Sequence, residues 1–244
     1  MYDIPNLRLN NHRVPGINGY LKASNLRSPL DVSFAFASEQ AIDELAHLSG
    51  LDPLEFRKRN MSDPRWLAVL DAVANASRWT PRIGSPARSK GRVLTGRGIA
   101  VGTHMSSYGA AAAEVTVNTS TGLVVATHLY GAIDAGLVVN PAAVENQISG
   151  QLVQAASRIL KEEVTFSKTN VTSLDWNSYP ILRFAESPAV TAIVVQRMDQ
   201  KSTGAGEEIM AAASAAIANA FFDATGVRLR EYPLTPARVK AVLT

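Results

Sequence analysis

The sequence contains no cysteine. That absence excludes a disulfide scaffold, a thiolate zinc site, a cysteine nucleophile and a cysteine-ligated iron–sulfur cluster. Histidine is scarce as well, with His12, His47, His104 and His128 alone and none at a ligand spacing such as HExxH, so any transition metal has to arrive inside a cofactor. Charged residues make up 18%, below the usual ~25%, and aromatic residues 7%. Little charge and abundant alanine point to a chain that buries more surface than a free monomer needs. The excess of 24 Lys+Arg over 21 Asp+Glu, a net charge of +3, is too small to argue for nucleic acid. No long apolar run is present. The most apolar stretch, Ile209–Phe222, covers about 14 residues where a membrane span needs ~20, and it reads as a buried core helix. The start, Met1-Tyr2-Asp3-Ile4-Pro5-Asn6, has neither a basic region nor an apolar one, so no signal peptide is expected.

What is present fits one large domain or two small ones within 244 residues, with 46% apolar content. Residues 1–37 read as irregular or extended. Ser38 is placed as the cap of a helix that Gly50 ends, with Ile42, Leu45 and Ala46 on one face. Asp52-Pro53 and Asp63-Pro64 each open a further helix, the first to about Asn60 and the second up to Trp79. Residues 1–80 are therefore a mostly helical segment. Residues 81–97 carry Arg82, Arg88, Lys90, Arg92 and Arg97 without an acid, and read as a solvated linker or a binding strap. Strands are expected over Gly98–His104, Ala111–Asn118 and Gly122–Ile133, then a helix from Asn140-Pro141 to about Glu163. A strand over Ala189–Met198, an Ala-rich helix over Ala211–Thr225 and a short helix after Thr235-Pro236 complete residues 98–244. The fold class expected is α+β, with mixed layers of helices and sheet.

Three constellations could carry chemistry. In Ser202-Thr203-Gly204-Ala205-Gly206-Glu207 the glycines let backbone approach a bound group, and free N–H groups at a helix start would face it. From composition alone the same residues read first as an ordinary first helical turn, where Glu207 and Glu208 favour the helix dipole. Gln147, Gln151, Gln154 and Arg158 share one face of their helix, which suits either a polar heterocyclic ligand or solvent. Arg27 stands alone before a helix and reads as a surface or pairing residue. His47, His104 and His128 read as structural or exposed.

Taken together, these segments resemble the large molybdenum-cofactor subunit of the xanthine dehydrogenase and aldehyde oxidase family, the bacterial isoquinoline and nicotinate dehydrogenase type above all. Phe36-Ala37-Ser38-Glu39 through Asp43-Glu44-Leu45-Ala46, with Asp52-Pro53 and Phe56-Arg57-Lys58-Arg59-Asn60, resembles its FAxExxxDELA…DPxxFRxxN stretch. Asp134-Ala135-Gly136 with Asn140-Pro141, Gln147-Ile148-Ser149-Gly150 and Gly204-Ala205-Gly206-Glu207 resemble its DxGxxxNP, QxxG and GxGE motifs. Ala216-Ile217-Ala218-Asn219-Ala220, Thr225-Gly226-Val227-Arg228 and Pro233-Leu234-Thr235-Pro236 resemble its closing stretch. The likeness covers nearly the whole chain from about residue 20. Each motif is weak alone; in this order they are specific.

The resemblance implies the partial molybdenum-cofactor-binding domain of a molybdenum hydroxylase. Its cofactor is molybdopterin cytosine dinucleotide, here shared with another chain, and molybdenum is held through the pterin rather than by side chains. Glu207 takes the role of base, activating a water-derived oxygen toward an electron-poor carbon of a small aromatic heterocycle or aldehyde. A carboxylate suits that role where partial burial brings its pKa towards the working pH. Ser202, Thr203, Gly204, Ala205 and Gly206 lie along the cofactor, Gln147 contacts the pterin, and Arg27 matches the Arg of an Arg-x-x-Gly loop. That loop reads Arg27-Ser28-Pro29-Leu30 here, without the glycine, and Glu208 replaces the family's usual proline. Gln151 and Ala156 stand where glycine is commoner. The expected partners are the remainder of the molybdenum subunit and an iron–sulfur subunit, in the cytoplasm or periplasm, since relatives can be exported by a signal on another subunit. Two rivals are a non-catalytic truncated fragment or interaction module, and an RNA-binding protein built on residues 82–97, which lacks interleaved aromatics.

Overall fold

The structure is a computed structural model that describes residues 1–8, 10, 12, 25–83 and 91–243. Arg88 and Lys90 of the basic stretch lie outside the described residues. Three helices open on caps legible in the sequence. The Asp52 side chain accepts the N–H groups of Leu54 and Glu55 and starts α2 (Pro53–Arg59). Asp63 accepts that of Arg65 at α3 (Pro64–Ala76), and Asn140 that of Ala143 at α4 (Pro141–Leu160). In each a proline occupies the first turn, where its missing N–H costs nothing.

Four strands, β1 (Val93–His104), β2 (Ser107–Asn118), β3 (Val124–Asp134) and β4 (Ala189–Val194), form one sheet in that order. The first three are antiparallel, and β4 runs parallel to β3, reached by the crossover through α4. Helix α3 covers one face, its Trp66, Val69, Leu70 and Val73 meeting Ile99, Val101, Ala110 and Ala132. Helices α4 and α5 (Glu208–Thr225) cover the other, with Ile148, Leu152, Ile209, Ile217 and Phe221 over Ala100, Ala111, Leu129 and Ile133. The α+β class holds: α1 packs on β1 and α5, α3 on β2 and β3, and α2 against α1 and α3.

Helix α5 lies almost backbone-to-backbone on β1. A Cβ at Gly96 would come 2.1 Å from the Ala220 carbonyl oxygen, one at Gly98 2.2 Å from that of Ala216, and one at Gly102 2.7 Å from the Ala212 nitrogen. Small residues on both sides make that approach possible, so much of the abundant alanine has a use inside this chain.

Several boundaries depart from the sequence reading. The helix expected from Ser38 begins at Asp31, as α1 (Asp31–Leu48), and residues 31–37 are not irregular. Its N-terminal flanking residue is Leu30, at φ 64° and without a side-chain cap, so no capping signal marks the start. Strand β1 begins at Val93, inside the stretch read as linker, because buried Leu94 and the close approach at Gly96 tie it to α5. The corner between β1 and β2 is Met105-Ser106, both left-handed at φ 46° and 74°, without the Asn or Gly that marks such hairpins in sequence. Helix α5 starts at Glu208 rather than Ala211, β4 ends at Val194 rather than Met198, and α4 ends at Leu160 rather than about Glu163.

The motif residues of α1 and α2 prove to be framework. Fully buried Arg57 donates from Nε to Glu39 (3.0 Å) and from a guanidinium nitrogen to its carbonyl oxygen (3.1 Å). Glu39 also accepts the Val101 N–H of β1 (3.0 Å) and the Tyr2 hydroxyl (2.7 Å). Burial opposes charge on Arg57, but Tyr2, Glu39 and Asp43 more than offset it and raise its pKa. Asp43 pairs with Arg228, whose guanidinium lies 3.7 Å over the Phe222 ring and donates to Asn219 (2.7 Å). These contacts nail α1 to α2, to β1 and to α5.

Between α4 and β4, residues 161–188 hold only an isolated bridge, Phe166 to Val171, and a single 3-10 turn, Phe184–Glu186. Phe166, Leu174, Trp176 and Phe184 are exposed there. Helix α6 (Pro236–Leu243) closes the order. Among the described residues no helix is long and apolar enough to cross a membrane.

Candidate active site

The turn Ser202–Gly206 sits between β4 and α5, pinned from several elements. Thr203 donates its N–H to Ala135 (2.9 Å), just past β3. Ser107, the first residue of β2, shares a hydrogen bond with the Thr203 hydroxyl (2.6 Å) and donates to the Gly204 carbonyl (2.5 Å). Gln151 on α4 donates to the Ala205 carbonyl (2.9 Å) and accepts the Ile209 N–H (2.8 Å). Arg27 donates from Nε to the Gly206 carbonyl. The carbonyls of residues 204, 205 and 206 are thus all taken by side chains. Their N–H groups make no hydrogen bond among the described residues, so the donors remain available. A Cβ at Gly206 would meet no heavy atom within 4 Å, and neither Gly204 nor Gly206 has a positive φ. Nothing among the described residues demands glycine at 206; the residue leaves room.

Glu207 follows, at the N-terminal edge of α5. Its Oε1 accepts the Ser28 N–H (2.9 Å) and its Oε2 lies 2.6 Å from Nε2 of His104, at the end of β1. Nδ1 of His104 lies 2.7 Å from Asp31, the first residue of α1. Glu208, by contrast, is buried and folds back to accept the Glu207 N–H (3.0 Å), and its burial raises its pKa. One of the two adjacent acids faces the site while the other supports the turn.

Arg27 is the hub of the other half. Besides Gly206 it donates to Gln147 Oε1 (2.7 Å) and to Gln154 Oε1 (3.4 Å), and Arg158 donates to its carbonyl (2.7 Å). Partial burial lowers its pKa, against the pull of Glu207 and Glu208. The structure therefore brings Arg27, Gln147, Gly206 and Glu207 together, with Thr203, Gly204 and Ala205 in the adjoining turn and Ser202 exposed at its start. Gln151 departs from the expected polar stripe: it is fully buried and acts as a clamp. Arg27-Ser28-Pro29-Leu30 lacks the family's glycine, yet Ser28 and Leu30 both take left-handed backbone, at φ 58° and 64°. The loop keeps a shape that glycine adopts freely.

Sequence reasoning missed His104, Asp31 and Ser107. His104 is not a bystander but contacts Glu207 directly, and its partners lie in two distant segments. His128 stacks on Tyr130 and His47 contacts Asp43, both away from this turn. No group of His, Asp and Glu among the described residues is arranged to hold a bare metal ion.

Comparison with known proteins decides the family. The family described as a molybdopterin cofactor-binding domain matches residues 52–188, and a second of the same description matches residues 1–61. The chain belongs to the molybdopterin cofactor-binding family of the xanthine dehydrogenase and aldehyde oxidase kind. It is 39% identical to a nicotinate dehydrogenase chain (the B component) of Pseudomonas putida, over 99% of this chain and 21% of that protein. It is 32% identical to the beta chain of isoquinoline 1-oxidoreductase of Brevundimonas diminuta, over 83% of this chain and 25% of that one. The chain thus spans about a fifth to a quarter of these relatives. The aldehyde oxidoreductase of Desulfovibrio gigas shares the fold, with a TM-score of 0.70 at 17% identity over 90% of this chain and 41% of that chain. For a molybdopterin-binding chain, the open N–H groups and the space at Gly206 fit a group rich in acceptor atoms approaching the turn.

Proposed function

We propose that this chain forms part of a molybdenum hydroxylase that oxidises an N-heterocycle or an aldehyde with oxygen derived from water, Glu207 serving as the base. The supporting observation is the turn before α5, where three N–H groups without a partner among the described residues stand beside a partly exposed carboxylate. When bound, molybdopterin, as its cytosine dinucleotide, supplies the two-electron oxidation. The chain's own residues bind, orient and move a proton. The N–H groups of Gly204, Ala205 and Gly206 and the exposed amide of Gln147 donate to the cofactor, with Ser202 and Thr203 alongside. Arg27 ties Gln147 to Gly206 and fixes the spacing between helix and turn. Glu207, with Oε1 held by Ser28 and Oε2 by His104, accepts the proton of the attacking oxygen. Electrons would leave through an iron–sulfur subunit, and the remainder of the cofactor site would come from the rest of the molybdenum subunit. The relatives named for nicotinate and isoquinoline support the heterocycle, and the aldehyde oxidoreductases the alternative substrate.

The test is metal analysis of the protein purified from its native host with whatever chains co-elute, together with Glu207→Gln. Near-stoichiometric molybdenum is expected, and in the variant a fall in turnover of roughly 100-fold or more at unchanged molybdenum content. A molybdenum-free monomer would favour the non-catalytic fragment. Substantial activity in the variant would remove Glu207 from the base role.

A further inference from the structure

His104 ends β1 at the hairpin corner, where a polar residue need do no more than face solvent. Instead its ring is fixed at both ends, Nδ1 at 2.7 Å from Asp31 and Nε2 at 2.6 Å from Glu207. An ionised carboxylate is an acceptor only, so two such contacts at hydrogen-bond distance require a proton on each nitrogen. Asp31 is in turn placed by its position at the start of α1, and Ser28 directs its hydroxyl to the same carboxylate (3.5 Å). The two carboxylates come from α1 and from the edge of α5, and the imidazolium between them ties those helices to the end of β1.

We propose that His104 is a positioning residue which, donating to both Asp31 and Glu207, holds the Glu207 carboxylate in the orientation from which it works. The inference rests on the reading of Glu207 as base. The Ser28 N–H constrains Oε1 alone, and a carboxylate held at one oxygen pivots; a second donor at Oε2 fixes its plane. The groups facing His104 are Asp31 from α1 and Glu207 and Glu208 from the start of α5, and Arg27 interacts with the same two glutamates. Partial burial disfavours the charged ring, but the Asp31 hydrogen bond and the charges of Glu207, Asp31 and Glu208 outweigh it and raise the pKa above 6.5. The clamp is therefore complete below that raised pKa. As pH rises through it, one ring nitrogen loses its proton, the ring can no longer donate to both carboxylates, and the clamp between α1 and the edge of α5 opens.

The experiment follows the histidine ring signals of the chain by NMR across pH. The chain has four histidines, and loss of a signal in His104→Asn assigns the residue. His104 is expected to titrate above the ordinary value, and both Glu207→Gln and Asp31→Asn are expected to lower its midpoint. A midpoint at or below the ordinary value, or one unmoved by Glu207→Gln, would overturn the clamp. This readout uses no cofactor, so its result stands apart from whether the chain loads molybdopterin. In the intact enzyme, His104→Gln is expected to lower kcat roughly tenfold with KM and molybdenum content little changed, and to abolish an alkaline limb in the kcat profile. A profile identical to that of the parent would show that His104 merely closes the hairpin. Asp31→Asn serves as the second variant if His104→Gln does not fold: it is expected to shift the limb to lower pH, and an unshifted limb would overturn the proposal.

Discussion

Arg57 and Glu207 were both legible as motif residues, and they stand in opposite surroundings, Arg57 in the core and Glu207 partly exposed beside the turn before α5. Arg57 is fully buried, bonded to Glu39 and to the Pro53 carbonyl, and touches nothing at the site. Removing it leaves Glu39 as an uncompensated charge beneath the Val101 N–H. Arg57→Ala is accordingly expected to destabilise the fold by about 3–5 kcal/mol, read as a lower urea midpoint. A loss below about 1 kcal/mol would mean that Glu39 is stabilised without its guanidinium. Composition and spacing could not separate these roles, because a motif records which residues go together and not whether they meet ligand or core. His104 was invisible for a different reason: its chemistry depends on Asp31 and Glu207, which are remote in sequence and adjacent only after β1, α1 and α5 pack.

At the level of elements, helices with an Asp-Pro or Asn-Pro start were readable because the cap is local. Helix α1 was not, since its start depends on Leu30 in left-handed backbone, a conformation that no side chain there announces. The layering of α5 on β1 was legible only as a wealth of alanine, which the composition assigned to surface beyond a free monomer's needs rather than to a close contact between helix and strand. Glycines that look alike in sequence have distinct uses in the fold. A Cβ at Gly98 collides with the backbone of Ala216 and Ala220, at 2.2 and 2.4 Å, and neither can yield without moving α5. A Cβ at Gly206 meets nothing within 4 Å. Gly98→Ala is expected to cost about 2–3 kcal/mol or more of folding stability. Gly206→Ala is expected to leave folding stability within about 0.5 kcal/mol of the parent while lowering the molybdenum retained on purification. Paired denaturation and metal analysis check both. A Gly206→Ala protein with full molybdenum content would mean that the open space at this turn is not where the cofactor lies.

Across the whole molecule, a sheet covered on both faces gathers Arg27, His104, Gln151 and Glu207 from four separate segments to one place. The α+β class followed from the order of elements alone; the convergence did not, because it depends on which helix lies on which face. The stretch from 161 to 188 stands apart from this layering. It joins α4 to β4 with few backbone hydrogen bonds of its own and exposes Phe166 and Trp176. Chymotrypsin is expected to cut there after Phe166 or Trp176 before it cuts any helix or strand, and resistance at both residues until the helices are digested would refute this. The two resulting pieces should remain together on native gel filtration and part only in denaturant. The ladder between β3 and β4 and the seat of α5 on β1 would survive the nick, so the chain would behave as a two-part protein whose halves recognise each other without the peptide link that once joined them.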